Sequence, residues 1–298
     1  MTVYLANVSN SNLQKERSSI VKYLEQNRFL VEANFFNFGK IKYWLFYDLS
    51  LSNLLKILFL FLLRKKMVYY CHEPKKRMAE LQDYTFKEKL KSFIVNFIHP
   101  LIFRCVDTIV TLSPVGSAKV SEFWRDKLVE TRIIIEDVEH TFREIEYDIC
   151  WLGKCSRQKG FDRFIVLVES NLDLKVCICT NDDKEFINGL FTKTTPDIVK
   201  YENEDTATDL LSKSKFAAIM HTSLTQSGVA VEALRSDCYL LSDNNDLKYT
   251  YKGSGVVCDT KTVLTDFNID MVKDGRPRRV YLDNHHPSCH EFLLNLLR

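Results

Sequence analysis

Two stretches in the second half of the chain combine residues that could bind an anion. Residues 147–161 read YDICWLGKCSRQKGF, and residues 216–232 contain FAAIM, a polar loop and GVAVE. Each has an apolar segment typical of a buried strand, then small, polar or cationic residues, then the start of a helix. In an open α/β sheet, backbone N–H groups at a helix start and a nearby lysine converge on a phosphate. The pattern therefore indicates a nucleotide or nucleotide-sugar ligand.

The first of these loops begins with Gly153, which permits a tight turn after the strand. Lys154, Arg157 and Lys159 place up to three cations within it. Two cations beside a diphosphate would offset its charge while it binds and again when it departs as a leaving group. Because Gly and Lys are common wherever a strand meets a helix, an ordinary connecting loop is the alternative interpretation.

The second loop, residues 221–228, offers hydroxyls and backbone N–H groups at the start of a helix. Glu232 follows one turn later, where its carboxylate could accept hydrogen bonds from both hydroxyls of a ribose. A solvated glutamate stabilised by the helix dipole is the alternative. Because both loops leave neighbouring parts of one predicted sheet edge, we expect them to form one site.

His72 and Glu73 follow a short apolar segment in the first half of the chain. At the carboxyl end of a buried strand, His72 could hydrogen-bond a ligand in the cleft. Glu73 could orient a reacting hydroxyl or act as a base. A histidine at a strand end can equally be a structural residue.

The elements that must position these residues alternate between strand and helix. In the first half, strands are predicted at residues 3–8, 29–36, 67–71, 108–112 and 132–135, and helices at residues 13–26 and 49–63, over a long segment ending at 105, and from 114. In the second half, strands are predicted at residues 149–152, 174–180, 198–201, 216–220, 239–242 and 256–258, and helices at residues 161–169, 184–190, 207–214 and 228–236. This alternation predicts parallel sheets with right-handed crossovers.

The predicted fold is therefore α/β, with two Rossmann-like doubly wound domains facing a cleft where the ligand binds. The first domain is placed at residues 1–140 and the second at 141–284, joined through an acidic connection at 136–146. A final helix within residues 285–298, at 289–297, is expected to pack back on the first domain.

Length and composition fit two soluble domains. The chain has 298 residues, of which 46% are hydrophobic and 27% charged, which excludes a largely disordered or fibrous protein. Residues 1–146 hold 22 of the 41 Lys and Arg but 17 of the 39 Asp and Glu, so the first half is the one expected to meet an anionic surface. Solvated charge with no partner is the alternative.

Nine cysteines, an odd number with no C-x-x-C pair, lie mostly in apolar segments. This usage is typical of a reducing compartment, where Cys is a small core residue. The first residues show no basic and apolar leader, so we expect a cytoplasmic protein.

Residues 49–66 are apolar and end in three cations. Their uncharged apolar run is too short to span a bilayer, which takes roughly 20 residues. Two interpretations fit the pattern: a helix that covers the parallel sheet, or a helix held at the anionic inner face of a membrane.

Two further clusters carry less weight. His285, His286, Cys289 and His290 are metal-ligand types, but Pro287 interrupts them and no second pair has zinc spacing, so no metal is expected. The basic run at 276–279 lacks interleaved aromatics, so no nucleic-acid partner is expected.

The order of these motifs resembles glycosyltransferase family four, of the type found in bacterial surface-polysaccharide synthesis. The donor-domain motifs are G-K-x4-K-G-F-D from Gly153, FAAIMHTS from Phe216, G-x3-E-A-L from Gly228, and CYLLSDN from Cys238. VYYCHEP from Val68 and VDTIVTLS from Val106 are similar to the acceptor domain. The resemblance implies the GT-B fold, sugar transfer from a nucleotide donor with retention of configuration, and no obligatory metal or other cofactor.

The resemblance also implies roles for individual residues. Lys159 matches the diphosphate-binding lysine, Lys154 stands where an arginine is usual, and Glu232 matches the ribose-binding glutamate. Leu224 stands where a first, sugar-binding glutamate is expected, so Thr225 or Gln226 would contact the sugar instead. The predicted catalytic residues are His72 and Glu73, and the predicted donor-binding residues are Gly153, Lys154, Lys159, Thr180, Thr225, Gln226, Ser227, Gly228, Val229 and Glu232.

The sequence thus predicts a hexosyl-type glycosyltransferase. Its donor would be a UDP- or GDP-linked sugar, and its acceptor a saccharide or polyprenyl-linked saccharide in O-antigen or capsule assembly. Leu224 also motivates a non-catalytic nucleotide-binding partner of a glycosyltransferase. A sugar-nucleotide epimerase of the same fold is the other alternative.

Overall fold

The computed structural model divides the chain into two compact units, Met1–Ile134 with His286–Arg298, and Ile135–His285. The predicted bounds of 140 and 284 stay a prediction. The structure describes residues 2–6, 11–37, 39–47, 49–72, 74, 81, 84–132, 135, 144–222, 227–258, 277–284 and 294–295.

The first unit contains a parallel sheet of six strands in the order β2-β1-β3-β4-β5-β6. Counted within the unit, 2-1-3-4-5 is the order of the flavodoxin-like doubly wound fold, here extended by one strand. Its elements are β1 (Thr2–Leu5), α1 (Ser11–Gln26), β2 (Leu30–Glu32), β3 (Ile41–Phe46), α2 (Leu51–Leu62), β4 (Lys66–Tyr70), α3 (Phe86–Cys105), β5 (Thr108–Thr111), α4 (Pro114–Lys119), a 3-10 segment (Glu122–Lys127) and β6 (Leu128–Glu130).

The second unit contains a parallel sheet of six strands in the order β12-β11-β10-β7-β8-β9. Within the unit this is 3-2-1-4-5-6, the order of the dinucleotide-binding Rossmann fold. Its elements are β7 (Tyr147–Leu152), a 3-10 turn (Arg157–Lys159), α5 (Phe161–Glu169), β8 (Val176–Thr180), α6 (Lys184–Asn188), β9 (Asp197–Lys200), α7 (Glu204–Ser212), β10 (Ser214–Ala218), α8 (Gly228–Arg235), β11 (Tyr239–Ser242), α9 (Asp246–Thr250) and β12 (Gly255–Val257). Residues 277–284 form a further helix.

Helices on both faces explain why the central strands are continuously apolar. Every residue of β8 is buried, and its Cys177 lies directly opposite Cys150 of β7. Of the eight cysteines among the described residues, seven are buried and Cys155 is half-buried. Their use as small core residues is therefore confirmed for this part of the chain.

Two strands of the first sheet, β3 and β6, were not predicted at their observed positions. β3 was not predicted at all, although it lies near the centre of the sheet between β1 and β4. The last strand of the sheet is β6, at Leu128–Glu130, which pairs with three residues of β5. It was predicted at residues 132–135, of which 133 and 134 lie outside the described residues. Residues 136–143 of the connection predicted at 136–146, and nearly all of the helix predicted at 289–297, lie outside the described residues.

Helix α2 covers the sheet, as the first of the two interpretations of residues 49–66 expected. Asn53, Ile57 and Leu60 are its buried positions, and the last two belong to the core of the unit. Within the described residues, no helix combines the length and apolar character needed to cross a bilayer.

Candidate functional site

The loops after β7 and β10 leave the second sheet side by side. These two strands are neighbours and parallel, so their carboxyl ends lie at one edge. They are also the pair at which the strand order reverses, because β8 and β9 extend to one side and β11 and β12 to the other. Open α/β sheets bind ligands at this position. The topology thus brings the two predicted loops to the ligand-binding edge.

The backbone at Gly153 makes room for the ammonium of Lys159. Gly153 has φ of +102°, which side-chain-bearing residues rarely adopt. Its N–H donates to the carbonyl of Cys179 at 2.8 Å, and a Cβ on Gly153 would lie 3.1 Å from Lys159 Nζ. The chain therefore turns back so that the lysine at the end of the loop lies over its first residue.

Lys159 is half-buried, and its charged neighbours include the cation Lys154 and the carboxylate Asp182. Burial lowers the pKa of its ammonium, and the charge of Lys154 lowers it further, whereas Cys155 and Asp182 act in the opposite direction. A bound phosphate would favour the charged form and offset the cost of burial. Lys154 itself is exposed. The two lysines predicted to bind diphosphate are therefore close enough to influence each other.

Asp182, which the sequence did not single out, ties this loop to the end of β8. Its Oδ2 accepts hydrogen bonds from the Cys155 backbone N–H at 2.6 Å and from the Thr180 hydroxyl at 3.1 Å. The Asp182 N–H in turn donates to the Thr180 hydroxyl at 3.1 Å. Thr180, a predicted donor-binding residue, is buried and in this arrangement supports the loop.

Cys155 lies within residues 153–159, which we call the lysine loop, but its environment does not activate it as a nucleophile. Burial raises the pKa of its thiol to about 12, and Asp182 contributes in the same direction. Because the thiolate is the reactive form, this side chain is held in its unreactive state at neutral pH.

Gly160 and Arg163 join the first loop to the end of β10. Gly160 has φ of +79°, and a Cβ there would overlap the Met220 carbonyl oxygen and lie 2.8 Å from Met220 Cβ. Arg163 donates through Nη2 to that same carbonyl and through Nε to Asp243 at 2.5 Å. The start of α5, the end of β10 and the end of β11 are thus linked by one guanidinium.

The second loop is described at its two ends, while Thr225 and Gln226 lie outside the described residues. At its start, the Asn244 side chain donates to the carbonyls of His221 and Thr222, each at 3.0 Å. At its end, Ser227 caps α8, because its hydroxyl accepts from the Ala230 N–H at 3.3 Å.

The predicted residues at the start of α8 sit at the positive end of its dipole. Gly228 and Val229 are the first two residues of this eight-residue helix. The buried Ser227 is fixed through its N–H, which donates to the Tyr251 hydroxyl at 3.1 Å. N–H groups in a first helical turn and the helix dipole favour an anion.

Glu232 lies one turn into α8 and forms an ion pair that the sequence analysis missed. Arg235 Nη1 is 2.8 Å from Glu232 Oε1, and the two side chains are 21% and 20% exposed. The i,i+3 spacing on a helix is the signal that could have revealed this pair. A ribose at Glu232 would therefore share the carboxylate with Arg235.

In the first unit, His72 lies two residues beyond β4, as predicted. Its ring is half-buried and lies 6.2 Å from the ring of Tyr47, which in turn stacks on Tyr70 at 4.2 Å. Tyr47 directly follows β3, and Tyr70 is the last residue of β4. Because these two strands are neighbours, the three rings form an aromatic cluster at one sheet edge. Glu73 lies outside the described residues.

The metal-type cluster at 285–290 also lies outside the described residues. Elsewhere in the described chain, no three His, Cys, Asp or Glu side chains are grouped to hold a metal ion. The expectation of a metal-independent site stays a prediction.

Comparison with known proteins identifies the fold. Neither a protein-family model nor a curated protein sequence matches the chain. Solved structures do: an alpha-glucosyltransferase in complex with UDP and DNA has a TM-score of 0.59 and 12% identity, over 98% of this chain and 94% of that one. WaaG, a glycosyltransferase involved in lipopolysaccharide biosynthesis, has a TM-score of 0.54 and 11% identity, over 95% of this chain and 94% of that one. The chain has the GT-B fold.

A third similar structure is longer than this chain. TarM of S. aureus, in complex with Fondaparinux, alpha-GlcNAc-glycerol and UDP, has a TM-score of 0.54 and 12% identity over 77% of this chain. The chain spans 49% of TarM's length. The TM-scores of these structures establish the fold, which confirms the predicted architecture of two doubly wound units.

Proposed function

We propose that this protein is a glycosyltransferase that moves a hexosyl unit from a nucleoside diphosphate sugar to an acceptor hydroxyl. The observation that carries the proposal is the convergence at one sheet edge of the Gly153–Lys159 loop and the N-terminus of α8. Cations and helix N–H groups at a topological switch point are suited to a diphosphate. The UDP bound in two similar structures, the alpha-glucosyltransferase and TarM, supports the same interpretation.

In this proposal the leaving group is a nucleoside diphosphate. The half-buried ammonium of Lys159 and the exposed ammonium of Lys154 offset the charge that develops as the sugar–oxygen bond breaks. Gly228 and Val229 bind phosphate oxygens through backbone N–H groups, and Ser227, whose own N–H donates to Tyr251, contributes by capping the helix that presents them. Glu232 accepts the ribose hydroxyls, and Thr225 and Gln226 contact the donor sugar.

The acceptor would be a saccharide or polyprenyl-linked saccharide in bacterial surface-polysaccharide assembly, at the cytoplasmic face of the membrane. His72 and Glu73 would orient its hydroxyl, and the configuration of the sugar would be retained. The similar fold of WaaG, a glycosyltransferase involved in lipopolysaccharide biosynthesis, favours this class of acceptor. UDP and GDP sugars are the donors we propose.

The donor site is tested by titration calorimetry with UDP and GDP. Removing a charged hydrogen-bonding partner costs about 1.5–3 kcal/mol, so Lys159→Ala should weaken diphosphate binding roughly 10- to 150-fold. Lys184→Ala, which removes an exposed lysine of the same unit, is the matched control and should leave affinity unchanged. Equal affinities for both variants and the wild-type protein would remove the basis of the proposed site.

Turnover separates the proposal from its rivals. Purified protein is incubated with UDP-, GDP-, dTDP- and CMP-linked sugars, with and without saccharide acceptors. Acceptor-dependent release of nucleoside diphosphate is expected. Binding without turnover of any donor would favour a non-catalytic partner, and an altered sugar nucleotide formed without acceptor would favour an epimerase.

A further inference from the structure

Helices α2 and α3 cover the same face of the first sheet and lie against each other. Ile57 and Leu60 of α2 share one core with Ile102 and Phe103 of α3. Their other sides therefore point away from the sheet together. In a helix on the surface of a soluble protein, the side remote from the core is normally polar.

The outward side of α2 is apolar along its whole length. Leu51, Leu55, Phe59 and Leu62 recur at helical spacing opposite the buried positions, and they are 74%, 59%, 46% and 78% exposed. The residues that pack on the sheet, by contrast, are nearly inaccessible.

Helix α3 repeats the pattern over five turns. Its apolar stripe consists of Phe86, Leu90, Phe93, Phe97 and Leu101, which are 83%, 50%, 69%, 78% and 45% exposed. Single exposed hydrophobic residues are ordinary, but contiguous large patches mark contact with a partner or membrane. Two adjacent helices with outward stripes of Leu and Phe form such a patch, which we call the α2–α3 face.

The charges carried by α2, by α3 and by the residues directly after α2 are nearly all positive. Residues 51–66 and 86–105 contain eight Lys and Arg and one acidic residue, Glu88. That carboxylate accepts from the N–H and the hydroxyl of Thr85 in the capping box of α3, each at 2.8 Å. Six of these cations follow the C-terminus of α2, up to the first residue of β4, or lie along the first turns of α3: Arg64, Lys65, Lys66, Lys87, Lys89 and Lys91.

We propose that the α2–α3 face docks on a bilayer of anionic lipids. Such a bilayer offers negative headgroups to the lysines and an apolar layer just beneath them to the Phe and Leu side chains. A second copy would place one cationic surface against another, which electrostatic repulsion disfavours. The proposal is independent of the sugar-transfer reaction, because none of these residues belongs to the donor site.

Vesicle flotation tests the docking surface. The full chain is mixed with vesicles of phosphatidylcholine alone, or of equal parts phosphatidylcholine and phosphatidylglycerol, and we expect binding to the anionic vesicles. Phe93→Gln with Phe97→Gln keeps good helix formers and should weaken this binding by about tenfold or more. The matched control, Leu172→Gln with Phe186→Gln, removes two similarly exposed residues of the other unit and should bind like the wild-type protein.

The cations are tested separately. Lys87→Gln with Lys91→Gln should weaken binding by about fivefold per charge, and added salt should have the same effect. Leu51→Gln with Leu55→Gln provides a second apolar variant if the Phe variant does not fold. Nucleotide affinity, measured on the same samples, should not change, so a failure here is distinct from a failure of the donor site.

Two results would overturn the proposal. One is flotation of the Phe and Leu variants equal to that of the control. The other is a wild-type dimer in analytical ultracentrifugation that the Phe variant converts to monomer while vesicle binding is unchanged, because a second copy would then cover the α2–α3 face.

Discussion

The close approach of Gly160 to Met220 gives the sharpest test of how the lysine loop is held. Gly160→Ala adds one methyl group at a position where φ is +79° and where the backbone carbonyl of Met220 and the Arg163 guanidinium are already in contact range. The left-handed backbone costs a non-glycine residue about 1–2 kcal/mol. Crowding against backbone that cannot rotate away adds about 1–3 kcal/mol. We therefore expect the free energy of unfolding of the second unit to fall by about 2–5 kcal/mol.

Urea unfolding followed by hydrogen-exchange mass spectrometry measures this change for each unit separately. With a slope of about 2 kcal/mol per molar urea, the midpoint of peptides from β7 and β10 should fall by roughly 1–2.5 M. Peptides from the first sheet should keep their midpoint, and UDP affinity should fall because Lys159 is displaced.

Gly189→Ala is the matched control for the added methyl group. Its φ is −66°, and its new Cβ would lie 3.4 Å from the Glu185 carbonyl, an ordinary contact. This substitution should change stability by less than about 1 kcal/mol. If Gly160→Ala lowers the midpoint of the second unit no more than Gly189→Ala does, the packing argument for the site is wrong.

Three further predictions concern the same loop. Because burial lowers the pKa of Lys159, UDP affinity should fall as the pH rises through that lowered pKa. Lys159→Arg, which stays charged, should abolish the dependence when calorimetry is repeated from neutral pH up to the ordinary lysine pKa of about 10.4. Cys155, with a thiol pKa of about 12, should react with iodoacetamide at pH 8 about a hundredfold or more slowly than in urea, as measured by mass spectrometry. Asp182→Asn should weaken UDP binding about tenfold by loosening the loop, while Asp173→Asn, an exposed control, should not; equal affinities would contradict the supporting role.

The alternation of strand and helix predicted most strands of both sheets. It did not predict a strand where two strands follow each other without a helix between them. β2 and β3 lie on opposite sides of β1 and follow each other without a helix between them. Because no helix separates β2 from β3, the alternation of strand and helix does not predict β3, although its residues are almost all buried. The last strand was misplaced because the apolar run after Arg132 outweighed the shorter Leu128–Val129 pair that actually joins the sheet.

In the candidate site, too, residues within one contiguous pattern were predicted, whereas contacts between residues far apart in sequence were not. Gly153, Lys159 and the start of α8 were predictable because each belongs to a contiguous strand-loop-helix pattern. Asp182 and Asp243 were missed because their partners, Cys155 and Arg163, are 27 and 80 residues away in sequence. The order of the strands in the sheet brings these pairs together, so the spacing of the residues along the chain does not predict the hydrogen bonds between them.

The ties around the lysine loop affect the thermodynamics of ligand binding. Asp182 accepts a hydrogen bond from the Cys155 N–H within the loop, and Gly160 packs against Met220 at its end. Arg163, in the helix that follows, donates to Met220 after β10 and to Asp243 after β11. Immobilising a mobile side chain on binding costs about 0.5–1.5 kcal/mol, but here folding has already ordered the loop. A nucleotide that binds this loop would therefore lose little of its affinity to conformational entropy, and the site would be preorganised for it.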